Sequence, residues 1–140
     1  MKKGIFTLFV ATATLLSCSS DDSSGSSQDP IIGNWRLTAQ SVDGTPLNAS
    51  ELGCDLEEDL IFSSNGEYTS ENLVESGNDC VLDELTSGTW SRISSGVYAI
   101  TNSGETNQVT LSFSNNNNTF TVTETYTDPA QTEVSTYARQ

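Results

Sequence analysis

The run TNQVTLSFSNNNNTFTVTETYTD, residues 106–128, decides the fold class. In its first half Val109, Leu111 and Phe113 recur at every second position. In its second half Phe120, Val122, Glu124 and Tyr126 do the same, with Thr119, Thr121, Thr123, Thr125 and Thr127 between them. Successive side chains leave a pleated backbone on opposite sides, so a period of two marks a strand with one buried face. Asn115 to Asn118 separate the halves, and asparagine tolerates positive φ, which predicts a hairpin loop. The stretch therefore reads as two antiparallel strands, 106–114 and 119–128.

The same grammar extends outward in both directions. Residues 33–42 place Trp35, Leu37 and Ala39 on one face and Asn34, Arg36, Thr38 and Gln40 on the other, and Asp43-Gly44 follows as a turn. Asn48-Ala49-Ser50-Glu51 predicts a capping box opening one helical turn that Gly53 ends. Further strands are expected at about 59–63 and 67–74, joined by Asn65-Gly66, and then at 87–93 around Trp90, after a loop through Gly77 and Cys80. Ser95-Gly96 leads into 97–101, and Pro129 into a last strand at 131–139. Eight strands joined mostly by short hairpins predict an all-β, antiparallel up-and-down β-barrel, because closure removes exposed edges; a two-sheet sandwich is the alternative. An eight-stranded barrel is filled by side chains or holds one small ligand. The large side chains expected to point inward run from Trp35 to Tyr126 and Val134 and nearly fill it, which leaves room for a small cavity near one mouth.

Composition narrows the function. The 140 residues carry 19 Asp and Glu against 5 Lys and Arg, a net charge of -14, with no His and 3 Cys. Such a chain is one domain, and without a basic patch it repels nucleic acid. Lacking His, it has no Ser-His or Cys-His nucleophile pair and lacks the commonest metal ligand. No nucleophile and base are recognisable, and no two carboxylates are placed across a cleft, so a non-enzyme without a cofactor is expected.

At the N-terminus Lys2 and Lys3 precede a short apolar run from Gly4 to Leu16, the pattern of a secretory signal peptide and too short to span a bilayer. Leu15-Leu16-Ser17-Cys18 resembles the bacterial lipobox, which implies cleavage before Cys18 and lipidation of its thiol. The expected organisation is a signal peptide at 1–17, a lipidated Cys and flexible Ser/acidic tether at 18–30, and a barrel at 31–140. Acyl chains in a leaflet contribute about 0.8 kcal/mol per buried CH2, and more than one gives stable anchoring. Ser19-Ser20-Asp21-Asp22 resembles the acidic signal that sends Bacteroidetes lipoproteins to the outer face of the outer membrane. The resemblance implies an exported, surface-exposed protein tethered to the outer-membrane leaflet; a monomer is expected.

With Cys18 assigned to lipid, Cys54 and Cys80 remain as an even pair in an oxidising compartment and are expected to form a disulfide. Two thiolates on a metal would lack two further soft ligands.

Gly33-Asn34-Trp35 opens the first strand, Phe62-Ser63-Ser64-Asn65-Gly66-Glu67-Tyr68 crosses the second hairpin, and Gly88-Thr89-Trp90 lies in the fourth strand. Together with the lipobox and the two cysteines, these residues resemble the lipocalin-like domain lipoproteins of Bacteroidetes, over residues 31–140. In lipocalins the Trp closes one end of the barrel and an Arg near the last strand packs over it. Trp35 and Arg139 are the matching residues, and the contact would be a cation-π pair. The chain is shorter than true lipocalins and has no C-terminal helix after the barrel, so the resemblance implies a fold more than a particular ligand.

Three sets of residues bear on function. Trp35 and Trp90 could line a cavity, though aromatics dominate small cores and that reading is preferred. Glu124 shares the inward phase of Phe120, Val122 and Tyr126; either it anchors a ligand at the pocket mouth beside Tyr126 or, the preferred reading, a bulge or strand-end position turns it to solvent. Asp55, Glu57, Glu58 and Asp59 could offer oxygens to Ca²⁺, but without the spacing of an EF-hand they read as a solvated loop. The function expected is binding of a small apolar or amphipathic molecule, with Glu124, Tyr126 and Trp90 as candidate contacts. The alternatives are a filled barrel that presents an interaction surface and a calcium-dependent surface module.

Overall fold

Turn chemistry and alternation set the register of nearly the whole chain. The computed structural model describes residues 28–140; the signal peptide, Cys18 and the tether as far as residue 27 lie outside them. The elements are β1 (Gly33–Val42), β2 (Thr45–Pro46), α1 (Ala49–Leu52), a 3-10 turn (Gly53–Leu56), β3 (Asp59–Phe62), β4 (Glu67–Ser76), β5 (Asp79–Ser94), β6 (Val97–Asn102), β7 (Glu105–Ser114), β8 (Thr119–Thr127) and β9 (Ala130–Arg139). β2 is a two-residue flap on β1, and the eight longer strands follow one another around a single antiparallel sheet. β9 returns to β1, with Trp35 opposite Arg139 at one end of the ladder and Val42 opposite Glu133 at the other. That ladder closes the sheet into an eight-stranded barrel and excludes the sandwich.

Local chemistry accounts for the connections. Asn115, Asn116 and Asn117 all take positive φ, as does Asp43 in the first turn. The Asn48 side chain accepts hydrogen bonds from the amides of Ser50 and Glu51, and the Glu51 carboxylate accepts one from the Asn48 amide, so the single turn of α1 is held by a complete capping box.

Two expectations fail. Residues 75–86, read as a loop, form a hairpin: β4 and β5 pair from Glu67 opposite Thr89 to Ser76 opposite Asp79. A bulge between Asn72 and Leu73 shifts the alternation by one residue, so Leu73 faces Leu82 and Val74 faces Val81 in a phase that the sequence does not show directly. Val134 does not point inward either. Val122 lies opposite Ser135 and Phe120 opposite Tyr137, which puts Ser135 and Tyr137 inside and Val134 on the outer wall.

The core occupies one end of the barrel. Ile31, Trp35, Phe62, Tyr68, Tyr98, Leu111 and Phe120 form its buried cluster. Ring centroids lie 4.7 Å apart for Trp35 and Phe120 and 4.9 Å apart for Phe120 and Tyr137. The Trp35 indole donates to the Ile31 carbonyl at 2.7 Å. Arg139 stacks its guanidinium 4.3 Å from the Trp35 ring and donates to the carbonyls of Ile32, Pro30 and Asn117. Asp29, assigned above to the tether, is tied to this end as well, accepting from the Tyr98 hydroxyl at 2.8 Å and pairing with Arg92 at 3.4 Å. These contacts satisfy its carboxylate, so the folded body begins before residue 31. Among the described residues no helix is long and apolar enough to cross a membrane.

The other end is open. β7 and β8 pair only from Ser114 opposite Thr119 to Leu111 opposite Val122. Beyond that point residues 105–110 and 123–127 run on without pairing to each other, and the wall parts toward the mouth.

Candidate ligand-binding site at the barrel mouth

Residues of seven strands build a cavity above the core. One compartment, about 150 Å³, is walled by Leu60, Phe62, Ile100, Val109, Leu111, Phe120 and Val122, with Glu124, Ser135 and Tyr137 as its polar residues. A second, about 130 Å³, is lined by Leu37, Gln40, Asp55, Glu58, Asp59, Leu60, Ser70, Ser135 and Tyr137. Leu60, Ser135 and Tyr137 line both, so the two adjoin across the Tyr137 ring.

The disulfide positions the mouth. Cys54 is bonded to Cys80, which fastens the 3-10 turn to the β4–β5 hairpin. Leu52 and Cys54 are buried, and Glu58 accepts from the Leu73 amide at 2.7 Å, so the segment carrying Asp55 and Glu58 is held against the opening. Burial pushes the Glu58 carboxyl above its ordinary value despite that hydrogen bond, and the charges of Asp55 and Glu71 add to the rise. Burial likewise pushes the Tyr137 hydroxyl up to about 12, with the carboxylates of Glu124, Glu58 and Asp55 contributing. Tyr137 is therefore a neutral hydroxyl at physiological pH, in the field of three acids.

Glu124 keeps the inward phase. The β8–β9 ladder runs without a break from Thr119 opposite Ala138 to Thr127 opposite Ala130, so there is no bulge. Its carboxylate lines the apolar compartment yet stays hydrated at the rim, where the wall beside β7 is parted. Glu133 stands directly opposite it and accepts from the amides of Gln40 and Gln131.

Other candidate residues lie elsewhere. Tyr126 is 45% exposed and beyond the cavity walls; its hydroxyl donates to Glu124 at 3.1 Å along the same face of β8. Trp90 packs between Phe62 and Tyr98 and donates to the Ser63 carbonyl, so it belongs to the core and not to the cavity wall. Of the acidic quartet, Asp59 pairs with Arg36 at 2.6 Å and Glu57 lies off the cavity, while Asp55 and Glu58, the latter bonded to the Leu73 amide, line the mouth. Among the described residues no three Asp, Glu, Cys or His side chains converge as metal ligands.

Sequence reasoning missed Tyr137 and Ser135. The signal was present, because an Arg139 placed over Trp35 fixes every odd residue of β9 on the inner face.

The family model of the lipocalin-like domain matches residues 31–137. No curated protein matches the sequence. Among solved structures, the possum milk whey lipocalin trichosurin, crystallised with bound 4-ethylphenol, is 11% identical over 76% of this chain and 73% of that one, with a TM-score of 0.43. The bovine lipocalin allergen Bos d 2 is 16% identical over 80% and 75%, with a TM-score of 0.45. A bovine odorant-binding protein in a deswapped triple-mutant form is 12% identical over 79% and 74%, with a TM-score of 0.41. A match spanning all but the last three residues of the barrel places the chain in a family: it belongs to the lipocalin-like domain family.

Proposed function

We propose that the protein is a non-enzymatic, lipid-anchored binding module of the outer-membrane surface that holds one small apolar or amphipathic molecule in the mouth of its barrel. The apolar compartment carries this reading. Its volume, about 150 Å³, matches that of cavities lined by Leu, Ile and Phe that take up a benzene-sized guest. Lipocalins bind small hydrophobic ligands, and this compartment sets the guest at about one ring, well under the usual 300–1,000 Å³ of drug-sized pockets.

The anchor is Cys18, with the lipobox resemblance as its support. Gln28 and Asp29 lie at the closed end beside Arg139, the end of the barrel opposite the mouth. Replacing Cys18 by Ser is expected to release the protein from membranes; retention there would refute the anchor.

Val122→Phe tests the cavity, since it projects extra volume into the compartment from a wall that is already well packed. Native mass spectrometry of the protein purified from its host is expected to show a bound species on wild type and none on Val122→Phe at comparable thermal stability. Equal loading of the two proteins would refute a ligand at this place.

A second reading has one observation in its favour. The β4–β5 hairpin projects past the barrel with Leu82 and Leu85 each 55% exposed, the kind of apolar surface an interaction partner covers.

A further inference from the structure

The cavity has walls of one chemistry and a rim of another. Asp55 and Glu58 enter from the turn behind α1, Glu124 from β8, and Glu133 stands opposite Glu124 on β9. No cation answers them. Among the described residues the cations are three arginines, and each is committed elsewhere: Arg36 to Asp59, Arg92 to Asp29 at the closed end, and Arg139 to Trp35 and three carbonyls.

An acidic rim over solid protein would be only a hydrated surface. Three features distinguish this one. It borders an apolar compartment of ring size: Glu124 lines that compartment, and Asp55 and Glu58 line the one that adjoins it. Like charges directly opposite one another on adjacent strands destabilise a sheet, yet Glu124 and Glu133 are so placed, and the groups that bond them are a hydroxyl and two amides, all neutral. Finally, Tyr137 lines both compartments, and the carboxylates of Glu124, Glu58 and Asp55 all act on its hydroxyl.

We propose that the ligand is a small organic cation: a ring-sized apolar body seated against Leu60, Val109 and Val122, bearing an ammonium group that lies among Glu58, Glu124 and Glu133 and within reach of the Tyr137 hydroxyl. An ammonium group offers three donors and no acceptor, which suits a rim made of acceptors. The carboxylates also raise the local concentration of cations and repel anions, so they select the ligand before it enters. This inference rests on the cavity reading given above.

Three molecules of nearly equal shape separate the two ideas: phenethylamine, phenethyl alcohol and phenylacetate, each titrated calorimetrically into the full chain at low salt. Phenethylamine is expected to bind at least about tenfold more tightly than phenethyl alcohol, a difference of about 1.4 kcal/mol, and phenylacetate most weakly. Added salt should shrink the preference. Glu58→Gln combined with Glu124→Gln should weaken the amine far more than the alcohol, so that the preference between them shrinks. Amine and alcohol binding within twofold of one another would overturn the cation and leave the cavity standing. No binding by any of the three would overturn both.

Discussion

At the scale of single residues, the Gly-x-Trp that opens β1 has a mechanical reason. A Cβ on Gly33 would collide with the Arg139 guanidinium, so glycine is what lets that group lie flat on Trp35. Arg139 then spends its donors on three backbone carbonyls that would otherwise be left at the plugged end. Lysine keeps the charge but has neither the planar fork nor the stacking face. Arg139→Lys is expected to lower unfolding stability by about 2 kcal/mol, read from the urea midpoint; an unmoved midpoint would show that the plug is held by Trp35 alone. This contact was foreseeable from the resemblance. Glu124 was foreseeable from phase alone, because nothing breaks the alternation of β8. Tyr137 carried a signal, the phase that Arg139 sets, but Val134 offers an apolar residue in the wrong phase of β9 and draws the eye to the outer face.

Among the elements, those bounded by strong turn residues were legible: Asp43-Gly44, Asn65-Gly66 and the asparagine tract each sit where a strand ends. The long β4–β5 hairpin was not, because its bulge moves the apolar residues out of phase and Asp79, Asp83 and Glu84 look like loop punctuation. Barrel closure was legible only through the general cost of open edges, as the β1–β9 partners lie a hundred residues apart in sequence. The disulfide gives this projecting hairpin its one covalent tie to the turn over the mouth. Closing residues 54–80 restricts the unfolded chain, which is worth about 3 to 4 kcal/mol in the chain-entropy account. Replacing both cysteines by serine should cost stability of that order, and it should also loosen Asp55 and Glu58, seen as faster amide exchange from Leu52 to Asp59 while β6 to β9 keep their protection. Uniform loss of protection through the whole barrel would show instead that the tie stabilises only globally.

For the molecule as a whole, ionisation of the tyrosines sets an alkaline limit. All four, Tyr68, Tyr98, Tyr126 and Tyr137, are pushed above their ordinary value of 10. The cause is burial for Tyr68, Tyr98 and Tyr137, and the Glu124 carboxylate for exposed Tyr126. A hydroxyl whose folded value is raised keeps its proton where the unfolded chain has already lost it. The fold therefore binds more protons than the unfolded state above pH 10, and stability, complete below that value, falls as pH rises toward the 12 of Tyr137. The surplus of carboxylates works in the same direction, because each new phenolate adds to a charge already at -14. Absorbance of tyrosinate and circular dichroism of the sheet, followed together as pH is raised, are expected to change in one cooperative step above pH 10. If the tyrosines instead titrated near pH 10 with the sheet signal intact, the barrel interior would have to be wetter than its packing implies, and the apolar compartment at the mouth would lose the dry wall on which its selectivity depends.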